Sequence, residues 1–548
     1  MLNETGSLVG SDLFIRGSLR SISTRGIIES WYWTLPTAFL LYCVLDVLHI
    51  RISVKRQGHT PQGAIPVSNS LFAAPRFILN LIWAFRSFDH LQEAYRKYGK
   101  SSFQVVRNNG SFVVLPQHLV EELASLPTRV SDPSASLEAE FLGHLGGFDF
   151  IKETNLQRIT AQRRLTSRIP LITPSLEKTL SEECRKLLPD SEEWTEFQPH
   201  SVLEQFSARI TSEAIVGPKF RTNPTWIDIA IHYTEGVFIT SVILRFFPEW
   251  MQWTLSNFMP VCWQGKKYLR KAKELLGPRI RERVAASDSG AWEPSDDNPE
   301  DADLLSWLCH TVKGPERNVD TISHCIVILA FASVHTTGQR MNSILLDLAA
   351  DTSLRDVLIE EITSVASKGW SAASYDELKK MDSTLRESQR TSPPLLTGMR
   401  RYFNESYTFK DGTFIPAGTN VCMAVYSIEN DEANTPRPEV FDGLRAYRLR
   451  EERERSGADL DSTAAKEHLF TTPTPTALAW GYGKMACPGR FFAGAVIKIF
   501  LVKLLTEYEF KFMPGAGKPA LQNLHEHYFA PPSLKMLIRR RKGSSAPF

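Results

Sequence analysis

Apolar residues recur at helical spacing through most of the chain. The stretches "HLQEAYRKYG", "TPSLEKTLSEECRKLL", "GKKYLRKAKELLGPRIRERVAA" and "SLRDVLIEEITSVAS" place apolar side chains three and four positions apart with charges between them, which predicts amphipathic helices. Shorter β-rich runs, "SFQVVRN", "GSFVVLP", "YTFKDGTFIPAG" and "SLKMLIRRR", predict strands. Two polar stretches, 287 to 303 and 451 to 468, carry dense charge and few apolar residues and predict surface loops. The fold class that follows is mainly α with a minor β portion.

One stretch departs from amphipathic patterning. "WYWTLPTAFLLYCVLDVLHI" (31 to 50) is apolar on every face. About 20 such residues suffice to cross a hydrocarbon layer of roughly 30 Å, and the Trp and Tyr residues cluster at one end as an interfacial belt would. A buried or amphipathic helix is the alternative, and Pro36 and Asp46 favour it. No small-residue cleavage site follows, so an uncleaved anchor is expected. The organisation expected is a tail over 1–30, a transmembrane anchor over 31–52, a proline-containing linker over 53–69 with Pro61 and Pro66, and one large body over 70–548. Basic residues flank the anchor on both sides, Arg16, Arg20 and Arg25 before it and Arg51, Lys55 and Arg56 after it, so charge does not set its orientation. The sequon at Asn3 suits a lumenal tip, although similar triplets occur at Asn109 and Asn404.

Composition adds exclusions. With 63 basic and 61 acidic residues the net charge is +2, which gives no reason to expect nucleic acid as a partner. The seven cysteines form no C-x-x-C pair, which argues against a zinc cage or a disulfide framework.

Candidate chemistry concentrates in three places. In "WGYGKMACPGRFFA", Cys487 lies between Gly483 and Gly489, with Arg490 behind it and an apolar helical run following. A thiolate that ligates haem iron needs backbone amides and a helix N-terminus to hold its charge, and a chain able to pass close under a flat macrocycle. Glycines permit both. Alone, Cys487 is more often a packed thiol than a ligand. In "MDSTLRESQRTSPPLL", Glu387 and Arg390 stand three apart on one helical face; alone, that is an ordinary surface pair. In "HCIVILAFASVHTTGQRMNSILLDLAA" an apolar helix is interrupted by Ser333, His335, Thr336 and Thr337. Thr336 reads either as bonding the carbonyl one turn back or as opening that turn to leave a polar groove. His335 reads as a proton relay or as an ordinary core or surface histidine.

Together these residues resemble the cytochrome P-450 superfamily, over approximately residues 70 to 548. Its signature, F-x-x-G-x-x-x-C-x-G-x-x-x-A, is matched by Trp480, Gly483, Cys487, Gly489 and Ala493, with Trp480 in place of the usual Phe. The resemblance implies that Cys487 is the axial ligand of the iron of haem b, that Trp480, Gly483, Gly489 and Arg490 shape the haem loop, and that Arg400 meets a propionate. It also implies that Glu387, Arg390 and Arg445 form a buried ion network, with Gly443 and Ala446 standing where the family has Pro and Phe. The threonine motif of the central helix maps onto Ala332 to Thr337, with Ser333 for glycine and His335 for the acid, and implies that Thr336, with Thr337 and His335, serves oxygen activation. The family's W-x-x-x-R has no match in "NLQRITAQRRLTSRI".

The wording "HTT" and "ACPGRFFA" is similar to fungal members resembling ent-kaurene oxidase. The resemblance implies a cytochrome P-450 fold behind an N-terminal anchor helix and a monooxygenase acting with O2 on a lipophilic small molecule of secondary metabolism. It further implies electrons from NADPH through a reductase, with cytochrome b5 as a second donor. The setting implied is the endoplasmic reticulum membrane, single-pass, with the catalytic domain on the cytosolic side. Arg158, Arg163, Arg164, Lys484 and Arg490 are candidates for a basic face toward an acidic donor. A haem-thiolate isomerase or dehydratase and a non-catalytic haem sensor remain as alternatives. The aromatic stretch 236 to 263 reads either as core or as a greasy lid at the bilayer.

Overall fold

The apolar run ending in "LLDLAA" forms the longest interior helix, Val319–Ala350. Asn318 starts it, its side chain accepting from the Thr321 amide at 2.9 Å, and Asp320 adds an acid to the first turn. Asp351 then caps the next helix, Thr352–Ala366, by accepting from Leu354 N at 2.9 Å. A computed structural model of the chain describes residues 24–69, 74–295, 298, 301–457 and 466–548. The central helix packs along Pro199–Val216 and touches Pro224–Leu244, Val261–Asp288, Lys379–Thr391 and Arg490–Glu507. Leu176, Leu180, Phe206, Ile344, Leu345, Val496, Phe500 and Leu501 form the largest apolar core around it.

The strand portion is small. A five-stranded sheet has the order Phe103–Val105, Phe112–Leu115, Asn420–Met423, Gly398–Phe403, Ser131–Asp132. Within it Val421 pairs in parallel with Val113 and antiparallel with Arg401. A hairpin, Gln522–Leu524 with His527–Phe529, lies against the helix Arg76–Tyr98. The architecture is thus mainly α with a minor β portion, as the patterning predicts.

The N-terminal region differs in its boundaries from the expectation. The first helix runs Thr24–Lys55, so its start falls inside the stretch expected as tail; the rest of that tail, including Asn3, Arg16 and Arg20, lies outside the described residues. Thr34–Lys55 is long and apolar enough to cross a membrane and is almost wholly uncovered by the body, with Leu35, Phe39, Leu40, Leu41, Val44 and Leu45 exposed. Asp46, which argued against an anchor, accepts from the Arg76 amide at 2.6 Å and so ties the first helix to the start of the next. The expected linker is in part a strand pair: His59–Thr60 joins Gly63–Ala64 and the strand Phe414–Ile415. Gly58 makes this approach possible, with φ +121 and an added Cβ only 2.3 Å from the Phe414 carbonyl oxygen.

The aromatic stretch 236 to 263 divides into an interior part and an exposed part. Its first part, the end of the helix Pro224–Leu244, is interior, with Val237, Val242 and Leu244 buried. Glu249–Phe258 turns Trp250, Trp253 and Phe258 outward at 69%, 70% and 78% exposure, and Tyr42 of the anchor lies 6.4 Å from the Trp250 ring. Of the stretch expected as a loop over 451–468, the first five residues complete the helix Arg445–Arg455, held by Lys379 on Glu454, while 458–465 lie outside the described residues.

Candidate active site

The Cys487 loop is assembled from backbone contacts that its glycines allow. Gly481 and Gly483 adopt φ +72 and +69, and a Cβ at Gly483 would lie 3.0 Å from the Ala124 side chain. The Cys487 amide donates to the Trp480 carbonyl at 2.7 Å, and the Trp480 indole donates to Phe470 O at 2.8 Å. Upstream, Glu429 accepts from the amides of Leu478 and Ala479 at 2.6 and 2.8 Å, which fixes the entry to the loop. Burial pushes that carboxyl up to about 7 against the pull of those amides and of Arg386. Downstream, Gly489 precedes the helix Arg490–Glu507, whose N-terminus lies beside the sulfur. Burial raises the Cys487 thiol above its ordinary value, opposed by the Gly489 amide and the Arg490 charge.

Cys487 borders a cavity of about 150 Å³. The opposite wall is one face of the central helix: Ala332, Ser333, Thr336, Thr337 and Arg340. Leu165, Ile215, Leu304, Leu329, Pro394 and Phe492 make the remainder apolar. The site fits a haem. It offers one thiol, apolar walls, and Gly489, where an added Cβ would meet nothing within 4 Å. Two buried polar groups on its walls, Arg340 Nε and Nη1 and Gln389 Oε1, have no partner among the described residues.

The threonine turn is intact. Thr336 faces the cavity while its Oγ1 donates to Ala332 O at 2.6 Å, and the helix continues unbroken, so the groove expected from an opened turn is not present. Thr337 lines the same cavity. His335 does not: its Nδ1 lies 3.0 Å from Glu204 and its Nε2 3.1 Å from the Ile231 carbonyl, on the side of the helix away from Cys487. The proton path expected through His335 is corrected accordingly. A step of one residue turns a helical side chain by about 100°, which carries His335 to the flank outside the arc occupied by Ala332, Ser333, Thr336, Thr337 and Arg340. Burial lowers the imidazole, but the Glu204 hydrogen bond and charge outweigh it and hold it above the ordinary value.

Glu387, Arg390 and Arg445 come together. Arg390 binds Glu387 through two nitrogens, and Arg445 Nε and Nη2 approach Glu387 Oε1 at 3.3 Å. Arg390 also donates to Asn430 and Pro438 O, and Arg445 to Pro436 O and Val440 O. The network therefore ties the helix Lys379–Thr391 to the chain before the Cys487 loop.

Arg400, expected at a haem propionate, and Arg490, expected to shape the haem loop, both have protein partners. Arg400 donates to Glu140 at 2.7 Å and Thr397 at 2.7 Å, and lies 3.3 Å from Glu526. It belongs to a buried cluster with Arg107 and Arg245, which bind the same two carboxylates. Arg490 donates to Thr471 O at 3.0 Å and Cys487 O at 2.8 Å, a clamp on the loop backbone. Beneath the cavity, Ala161 and Leu165 reach the wall, while the Arg164 and Arg168 guanidinium groups stack on Trp307 at 4.0 and 4.7 Å. Sequence reasoning did not find Arg340 or Gln389. Arg340 was findable by spacing, four residues after Thr336 on the same helical face.

A cysteine loop at a helix N-terminus, facing a threonine-bearing helix across an apolar cavity, defines a haem-thiolate enzyme. The chain belongs to the cytochrome P-450 family, whose model matches residues 76–538, and it is a cytochrome P-450 monooxygenase. It is 32% identical to cytochrome P-450 monooxygenase AN1598 of Emericella nidulans over 85% of this chain and 86% of that one. It is 28% identical to an ent-kaurene oxidase of Fusarium fujikuroi over 93% of both chains. Among solved structures it is similar in fold to retinoic-acid-bound cyanobacterial CYP120A1, with TM-score 0.63 and 16% identity over 87% of this chain and 100% of that one.

Proposed function

We propose that this protein is a membrane-anchored haem-thiolate monooxygenase that inserts one oxygen atom of O2 into a lipophilic small molecule of fungal secondary metabolism. Similarity to a protein named ent-kaurene oxidase favours a terpenoid skeleton. The observation that carries the reading is a single apolar cavity bordered by Cys487 on one side and Thr336 on the other. Haem b, when bound, supplies the one-electron and oxygen chemistry. Cys487 would hold its iron through the sulfur, with the Gly489 amide, the helix N-terminus and Arg490 favouring the anionic form. Thr336 holds a proton at Oγ1, given to Ala332 O at rest and available to a polar group in the cavity on rotation about χ1. The side chains of Leu165, Leu329 and Phe492 keep bulk water from the sulfur and present an apolar surface to substrate.

Electrons come from NADPH through a reductase, with cytochrome b5 as a second donor, received at exposed Arg163 and Lys484. The exposed anchor and the outward Trp250, Trp253 and Phe258 support placement on the endoplasmic reticulum membrane, single-pass, with the catalytic domain cytosolic. The test is O2 consumption by the purified holoenzyme with reductase and extracts of cells lacking the protein as substrate source. NADPH-dependent consumption matched to a new oxygenated product is expected. Turnover without NADPH would select a haem-thiolate isomerase or dehydratase, and no product at all a haem sensor.

A further inference from the structure

Arg340 sits one helical turn beyond Thr336 on the same face and lines the Cys487 cavity. Only 6% of the residue is exposed. Its Nη2 donates to Ser392 O at 2.7 Å, while Nε and Nη1 have no partner among the described residues. The two carboxylates whose charge reaches it are engaged elsewhere. Asp347 binds Lys518 at 2.5 Å, and Glu429 accepts the Leu478 and Ala479 amides. Burial lowers the guanidinium to about 10, against the pull of Asp347 and Glu429, so it is charged at neutral pH. Gln389, also on the cavity wall, leaves Oε1 without a partner, so two polar groups face the same space with unmet bonding capacity.

A buried cation with two idle N–H groups is costly unless an opposing charge develops near it. We propose that Arg340 is the electrostatic counterweight to the electron received at this site, raising the reduction potential of the thiolate-ligated haem. The accounting is simple: iron(III), a porphyrin dianion and one thiolate sum to zero, and one electron from the donor makes the sum minus one. No bond forms or breaks and no proton moves. A fixed positive charge in a low-dielectric wall stabilises the reduced state more than the oxidised state. The inference rests on ligation of haem by Cys487.

The test is a dithionite titration of the holoenzyme with dye mediators, comparing wild type, Arg340→Met and Arg340→Lys. Removing the charge is expected to lower the equilibrium constant for one-electron reduction on the order of tenfold, a midpoint shift of about −59 mV. Arg340→Lys, which keeps the charge, is expected to stay closer to wild type than Arg340→Met. A change under roughly threefold in Arg340→Met, or an equal fall in both variants, overturns the proposal. Should Arg340→Met fail to retain haem, Arg340→Gln is titrated under the same criteria. Absence of a thiolate-type spectrum in wild type would defeat the haem-thiolate reading itself, whereas an unchanged midpoint with that spectrum intact defeats only the role of Arg340.

Discussion

Arg390 grips Glu387 at two points, Nε to Oε2 at 3.0 Å and Nη2 to Oε1 at 2.6 Å, with both side chains almost fully buried. The pair is three residues apart on one helix, yet its remaining contacts reach Asn430, Pro438 and Arg445 on the segment that leads to the cysteine loop. Its role is architectural: it fixes one helix against the chain that enters the loop. Removing one partner leaves a buried charge uncompensated, a loss of about 3–5 kcal/mol. Glu387→Gln is therefore expected to lower the thermal midpoint and haem content of the purified protein sharply. Arg445→Lys, at the more exposed edge of the network, is expected to do so less.

Glu526 sits among Arg245, Arg107 and Arg400. Burial alone would raise its carboxyl, but those three cations outweigh it and hold it well below the ordinary range; Glu140 in the same cluster is also lowered. A depressed carboxylate contributes stability that is present above the unfolded value and lost as pH falls through the folded one. Denaturant midpoints of wild type and Glu526→Gln should differ by the equivalent of about 3–5 kcal/mol near neutral pH and converge in acid. A gap that stays constant to low pH would contradict this.

His335 carries the opposite sign. Glu204 raises it, so its contribution to stability is full below the unfolded value and fades as pH rises through the raised folded value. Wild type should therefore exceed His335→Gln in urea midpoint at mildly acidic pH, with the difference shrinking above neutrality. Because the ring faces Glu204 and not the cavity, product formation per turnover is expected to change little, whereas Thr336→Ala should uncouple O2 consumption from product.

Trp250, Trp253 and Phe258 share an exposed surface beside the anchor. Each aromatic side chain buried in lipid adds on the order of 1.5–3 kcal/mol. A variant lacking residues 1–55 should still sediment in part with liposomes, and the further change of these three residues to Ser should release it. Full solubility of the first variant would contradict the second contact.

The helical body and the cysteine loop were legible because their signals are local: a 3.6-residue period, and glycines within six positions of Cys487. Glu387 and Arg390 were legible for the same reason. The orientation of His335 was legible in principle, since the cavity-facing residues Ala332, Ser333, Thr336, Thr337 and Arg340 keep one helical face and His335 falls outside it. The partners of Arg400 were not legible. Glu140 and Glu526 come from segments far away in the chain, and no local pattern announces which arginine a buried carboxylate will meet. The partner of Asp46 was hidden for a related reason: the helix start at Arg76, which bonds it, lies 30 residues further on.

The central claim is sulfur ligation of haem iron by Cys487, and the reduced, carbon-monoxide-bound absorption spectrum of wild type against Cys487→Ser tests it most directly. The account predicts a thiolate-type band in wild type that is lost in the serine variant. Purified wild type without porphyrin, or a thiolate-type band that persists in Cys487→Ser, would contradict it.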